Sequence, residues 1–213
     1  MTQTPIRQEG EMKKRLLSQV FGVLMLAALG FVAPAAGGVT TETSDVIGQG
    51  PAGPVVSADG ATLQRSENGL SARLSMPTPA PGTYLYPPAQ TAPFPFPAAV
   101  PGHPEAFSFW AFVFNFPELC SVPCNSDDLG VATPARGGVF NVAGHIEGGP
   151  NLTLSGHVSM NTAPFGGSML LEPLTAEVHL AVAPHGALDP ALLPDQISKP
   201  IGGPAYWWIA IFD

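Results

Sequence analysis

The sequence predicts an all-β protein, a β-sandwich or partly closed barrel of seven to eight mainly antiparallel strands with a long Pro-rich loop. Three observations lead there. Of 213 residues, 25 are proline and 24 are glycine, and only 11% are charged, against roughly a quarter in an ordinary soluble domain. Long helices and coiled coils need charged helix formers and few prolines, so the composition argues against both. Hydrophobic residues still reach 45%, too many for a solvated disordered chain. Apolar residues also recur at every second position in several separate runs, which is the period of a strand.

The elements follow in chain order. Residues 1–35 read as a secretory signal peptide: a basic cluster at Lys13, Lys14 and Arg15, an apolar run from Val20 to Ala33, and small residues at Ala33 and Ala35 for cleavage. Export places the chain in the periplasm, at the cell surface or in the medium. No later stretch reaches the length of a membrane-spanning helix. Residues 36–59 are rich in Gly, Ala, Ser, Thr and Asp and read as a flexible leader or peripheral strand. The compact body, a single domain, is expected from residue 60 to 213. Asn68-Gly69 lies between the alternating runs Leu63–Arg65 and Leu70–Met76, a hairpin signal. Arg65 and Arg73 are expected at exposed positions on it.

Residues 77–104 carry ten prolines, which lack the amide hydrogen a ladder needs, so this is the long extended loop. Tyr84, Tyr86, Phe94 and Phe96 are interleaved with them. These aromatics either pin the loop to the sheet or form a contact surface for a ligand. From Phe107 to Phe116 the chain is densely aromatic with period two, and Phe107, Phe109, Ala111 and Val113 share one face. Trp110, Phe112 and Phe114 share the other, so the strand is expected between two layers. Further strands are expected at 138–144, 152–158, 176–182 and 206–212, with one short helix around 189–197. The last strand is hydrophobic enough to belong inside the sheet.

Charge excludes one class of partner. Eight basic residues face sixteen acidic ones, a formal net charge of −8. Nucleic acid and anionic lipid are poor partners for that surface. An envelope or extracellular protein, or a glycan, remains a suitable one.

Chemistry-bearing residues are few. Cys120 and Cys124 are an even pair in an exported chain and read as a disulfide. Glu118, Asp127 and Asp128, with Asn115 and Asn125 nearby, offer oxygen ligands suited to Ca²⁺ or, as the bland reading, cap a turn. His145, His157, His179 and His185 sit on or beside strands and would form a transition-metal site if they converged, with Glu147 or Glu177 as a further ligand. Otherwise they satisfy loop backbone by hydrogen bonding. No Gly-x-Ser-x-Gly elbow, phosphate loop or dinucleotide fingerprint occurs.

The Trp110 to Asn115 strand, Pro117-Glu118 with the two cysteines, Asp127-Asp128-Leu129-Gly130, Gly144-His145 and Ala176-Glu177-Val178-His179-Leu180 with His185-Gly186 resemble a group of exported bacterial all-β proteins. That group is in turn distantly similar to the CHRD domain. The resemblance implies a secreted all-β domain and brings no activity with it. A non-catalytic binding or structural module is the expected function. The alternative is a metal-binding protein or metal-dependent enzyme built on the histidines.

Overall fold

A computed structural model describes residues 38–48, 50, 53–80, 100–121, 123–199 and 207–213. Residues 1–35, read as a signal peptide, and Tyr84, Tyr86, Phe94 and Phe96 lie outside the described residues. Nine strands form one curled antiparallel sheet: β1 (Thr40–Ile47), β2 (Val55–Ser66), β3 (Gly69–Pro77), β4 (Glu105–Phe114), β5 (Gly137–Glu147), β6 (Asn151–Ser159), β7 (Gly166–Gly167), β8 (Glu177–Ala187) and β9 (Trp208–Phe212). Their order across the sheet is β6-β3-β2-β1-β9-β8-β4-β5-β7. Among the described residues helix is confined to short 3₁₀ turns at Pro117–Leu119, Ser126–Asp128 and Pro190–Leu192 and one turn of α-helix, α1 (Asp195–Ser198). The expected partly closed, all-β architecture is what forms, with β9 between β1 and β8 rather than at an edge.

The aromatic strand organises the core. Phe107, Phe109, Ala111 and Val113 of β4 join Val178, Leu180 and Val182 of β8 in the main core. The same core receives Leu63, Leu70, Leu74, Leu152 and Leu154 from β2, β3 and β6, so the sheet curls until its two halves bury a common interior. The opposite face of β4 is buried as well. Trp110 packs there with Ala181, Ala183, Trp207 and Ile209, and Phe165 meets the Trp110 ring edge-on at 5.3 Å. Each fully buried large apolar side chain contributes about 1.5–3 kcal/mol relative to exposure.

Two features depart from the expectation. The segment before residue 60, read as a flexible leader or peripheral strand, carries β1 and the first part of β2, and β1 lies inside the sheet between β2 and β9. Val46 is fully buried, and Thr40 pairs with Arg65 along an antiparallel ladder. The second departure is Arg65, expected on the surface and found 2% exposed. It shares a face with Ala61 and Leu63 by strand alternation. Its Nε and Nη2 donate to Glu42 Oε1 and Oε2 at 2.7 and 3.3 Å, and its Nη1 donates to the carbonyls of Ala176 and Pro173 at 2.5 and 3.3 Å. A cation enters the interior because five N–H donors find a carboxylate and two backbone oxygens there. Arg73, its counterpart on β3, is exposed.

The β2–β3 hairpin forms, with its turn one residue earlier than the Asn-Gly signal suggests. Ser66 pairs with Gly69, leaving Glu67 and Asn68 as the loop. Gly69 has φ +154°, and a Cβ on it would strike the Val158 carbonyl oxygen. Close approach to β6, rather than the turn itself, demands the glycine.

Candidate functional site

The cysteines form a disulfide, with Sγ atoms 2.03 Å apart and Cα atoms 5.0 Å apart. The loop that carries them is organised by Asp128. Its Oδ1 accepts from the Ser121 amide at 3.0 Å, and its Oδ2 accepts from the Asn125 amide and the Ser121 hydroxyl, each at 3.0 Å. These donors, the Ser121 amide first, hold its carboxyl below the ordinary carboxylate range. Asn125 caps the Ser126–Asp128 turn by accepting from the Asp127 amide at 2.9 Å. Among the described residues, Glu118, Asp127 and Asp128 are not placed together to hold an ion. Asp128 serves amides, Asp127 and Glu118 are exposed, and the turn-capping role holds at Asp128.

Asn115, also grouped with that set, is a rivet. Its Nδ2 donates to the carbonyls of Arg136 and Met169 at 2.7 and 2.9 Å. Its Oδ1 accepts from the amides of Leu171 and Glu172 at 2.7 and 3.3 Å. The full hydrogen-bonding capacity of the amide is used to tie two loops to the end of β4.

The histidines do not gather on a metal. Among the described residues, no group of three or more His, Cys, Asp or Glu side chains is placed to hold an ion. The reason is register. His145 stands opposite Phe107 on one flank of β4, and His179 opposite Phe112 on the other flank. Five positions along a strand are about 17 Å, far beyond the ~2 Å reach of a metal–nitrogen bond. Each histidine has a local partner instead. His145 Nε2 meets Glu147 Oε2 at 3.2 Å, His179 Nε2 meets Glu177 Oε1 at 2.6 Å, and His157 Nδ1 meets Ser71 Oγ at 3.0 Å. In the two His–Glu pairs the partners are two residues apart, the spacing that puts side chains on one face of a strand. His145 lies within β5, which runs beyond the expected end at 144 to Glu147.

His185 is fully buried on the outer face of β8. Its Nε2 lies 2.6 Å from Ser108 Oγ, which accepts from Trp110 Nε1 at 2.6 Å. The indole is only a donor, so the serine oxygen accepts from Trp110, and the imidazole tautomer sets the direction of the Ser108–His185 bond. Desolvation agrees with a neutral ring, lowering the His185 pKa to about 3. Gln196 of α1 closes this layer, donating to the carbonyls of His185 and Ala187 at 3.2 and 2.7 Å. Serine and histidine have the spacing of a nucleophile and its base, yet both are fully buried. The arrangement fastens α1 to β8 and offers no access to substrate.

The concave feature that sequence reading missed is a groove of about 290 Å³ where β4 begins and β5 ends, lined among others by Thr78, His103, Glu105 and Glu147. Glu105 pairs with Glu147 across the two strands. Glu147 accepts from the Gly149 and Gly148 amides and from His145. Those donors, the Gly149 amide first, keep its carboxyl below its ordinary range. The sequence signal was the Glu147-Gly148-Gly149 turn, but only the β4–β5 register brings Glu105 beside it.

Among the described residues no helix is long and apolar enough to cross a membrane. Comparisons of the chain with family models, with curated proteins and with solved structures return no match.

Proposed function

We propose that this chain is an exported, non-catalytic β module with a binding or structural role in the cell envelope or extracellular space. The Cys120–Cys124 disulfide carries the reading, because such bonds persist in oxidising compartments. The basic-then-apolar N-terminal segment and the resemblance to exported all-β proteins point the same way. Support for a non-catalytic role comes from the polar groups themselves: Asp128, Asn115 and His185 are each committed to holding the fold.

Fractionation of cells expressing the full chain tests this, with N-terminal mapping and maleimide labelling of unreduced protein. The expected product starts near residue 36, lies outside the cytoplasm and takes up no maleimide. An uncleaved cytoplasmic chain with two reactive thiols would refute export. Metal analysis of the same protein is expected to find no stoichiometric ion. One Ca²⁺ or transition metal per chain would replace the non-catalytic reading with the metal-dependent one.

A further inference from the structure

The sheet ends in β7 on one side and β6 on the other. β7 is two glycines long, too short to template another strand. β6 has nine residues, Asn151–Ser159, with no proline and no charged side chain among them. Proteins normally blunt such an edge with lysine, proline or a bulge, and β6 has none of these.

Its register with β3 decides which backbone groups are occupied. Beyond the two ends of the ladder, the Thr78 amide donates to the Pro150 carbonyl at 3.0 Å and the Met160 amide to the Asn68 carbonyl at 3.1 Å. Hydrogen-bonded pairs alternate with non-bonded pairs in an antiparallel ladder. Leu152, Leu154, Gly156 and Val158 therefore spend their backbone groups on β3, and Thr153, Ser155 and His157 turn theirs outward. Ser159 faces outward too, and its amide is taken by Thr162 Oγ1 at 2.9 Å. Among the described residues no strand pairs with this side of β6. β5 crosses its inner face instead, where a Cβ on Gly156 would strike the Val142 carbonyl oxygen.

We propose that β6 is a self-association edge, on which two copies of the chain pair antiparallel about a two-fold axis through Ser155. The alternation of polar and non-polar positions is symmetric about that residue. Leu152 matches Val158 and Thr153 matches His157, with Leu154 matching Gly156. In this register apolar side chains meet apolar or absent ones on the inner face, and polar side chains meet polar ones on the outer face. Thr153, Ser155 and His157 are exposed on each copy. Together they supply about six inter-chain hydrogen bonds, in an interface that uses the same patch twice. Charge favours this edge as well. A chain of net charge −8 repels its own copy over most of its surface, and β6 is an uncharged strip.

The test measures molar mass in solution across micromolar to submillimolar concentrations, using protein purified from expression of the full chain. The wild-type protein is expected to reach twice the monomer mass. Ser155→Pro removes an amide hydrogen that β3 does not use, so it should leave the thermal midpoint of the dilute monomer in place and weaken the dimer at least about tenfold. Ser155→Lys keeps the backbone and sets two cations face to face, and should do the same. If the proline variant misfolds, the lysine variant decides. A wild-type protein that stays monomeric throughout, including one that captures a strand from a different protein, overturns the proposal. So does a dimer that neither substitution weakens.

Discussion

In β3 and β6 every second side chain stands on an open face, whereas in β4 and β8 both faces are covered. The first pair turns Leu70, Leu74, Leu152 and Leu154 inward and leaves Arg73, Thr153, Ser155 and His157 exposed. The second pair buries Phe107 and Phe109 on one side and Trp110, Ala181 and Ala183 on the other. The consequence concerns register. Slipping β6 by one residue would expose its leucines, so hydrophobicity alone fixes its alignment. Slipping β4 by one residue would still bury aromatic rings. In that half of the sheet, alignment rests on buried polar groups that only one arrangement satisfies: Ser108 with His185, and Asn115 with four backbone groups.

The largest test of that contrast removes the polar rivet. Asn115→Leu is expected to destabilise the protein by about 3–5 kcal/mol, since it leaves four backbone groups without their partner in a partly closed site. Thr153→Ala, on the open face, is expected to change stability by no more than about 0.5 kcal/mol. Its hydroxyl meets only Ser75 Oγ at 2.9 Å in an exposed pair. Urea titration of both variants measures the difference in midpoint. Equal shifts would mean that the two halves of the sheet are held in the same way.

The same contrast explains what the sequence disclosed. Alternation exposed β3, β4, β6 and β8, because their apolar residues carry the period of a strand. It could not expose β1, where Val46 and Ile47 are the only large apolar residues and pairing with β2 supplies the order. Arg65 was misplaced for a related reason. Alternation assigned it a face, but the carboxylate and carbonyls that make that face tolerable come from Glu42, Pro173 and Ala176, distant in the chain. The disulfide was legible because Cys120 and Cys124 are local. The expected grouping of the four histidines failed because register, which spacing does not disclose, sets His145 and His179 opposite positions of β4 that are five residues apart. Glu105 and Glu147 come opposite each other at one groove without any shared motif to announce them.

A second test uses protons. The His185 pKa is lowered to about 3 in the folded protein, so the unfolded chain binds the proton first as pH falls. Stability is therefore complete above the ordinary histidine value and is lost as pH drops from about 6.5 toward 3. Between pH 6.5 and 4 the loss from this one group is expected to be about 2–3 kcal/mol. His185→Asn keeps a hydrogen-bonding group beside Ser108 without a titrating ring, and its stability profile over that window should be flatter by that amount. Glu147 also loses its stabilising contribution on acidification, below its ordinary carboxylate value, and it cancels in the difference between the two profiles. Parallel profiles would show that the outer layer of β8 opens to water more readily than its packing indicates.

The smallest effect is expected at the staple. Cys120 and Cys124 are four residues apart, so the loop they close is short and the chain entropy they remove is limited, about 1–2 kcal/mol. The native loop also has a second means of support. Asp128 grips the Ser121 and Asn125 amides whether or not the sulfurs are joined. Replacing both cysteines with serine should therefore shift the urea midpoint less than Asn115→Leu does. It should also leave the cooperativity of the transition unchanged. A larger shift than that of Asn115→Leu would transfer the role of fixing the end of β4 from the hydrogen-bonded amide to the covalent bond. The buried polar groups would then be tolerated by the two-layered half of the sheet rather than needed to align it.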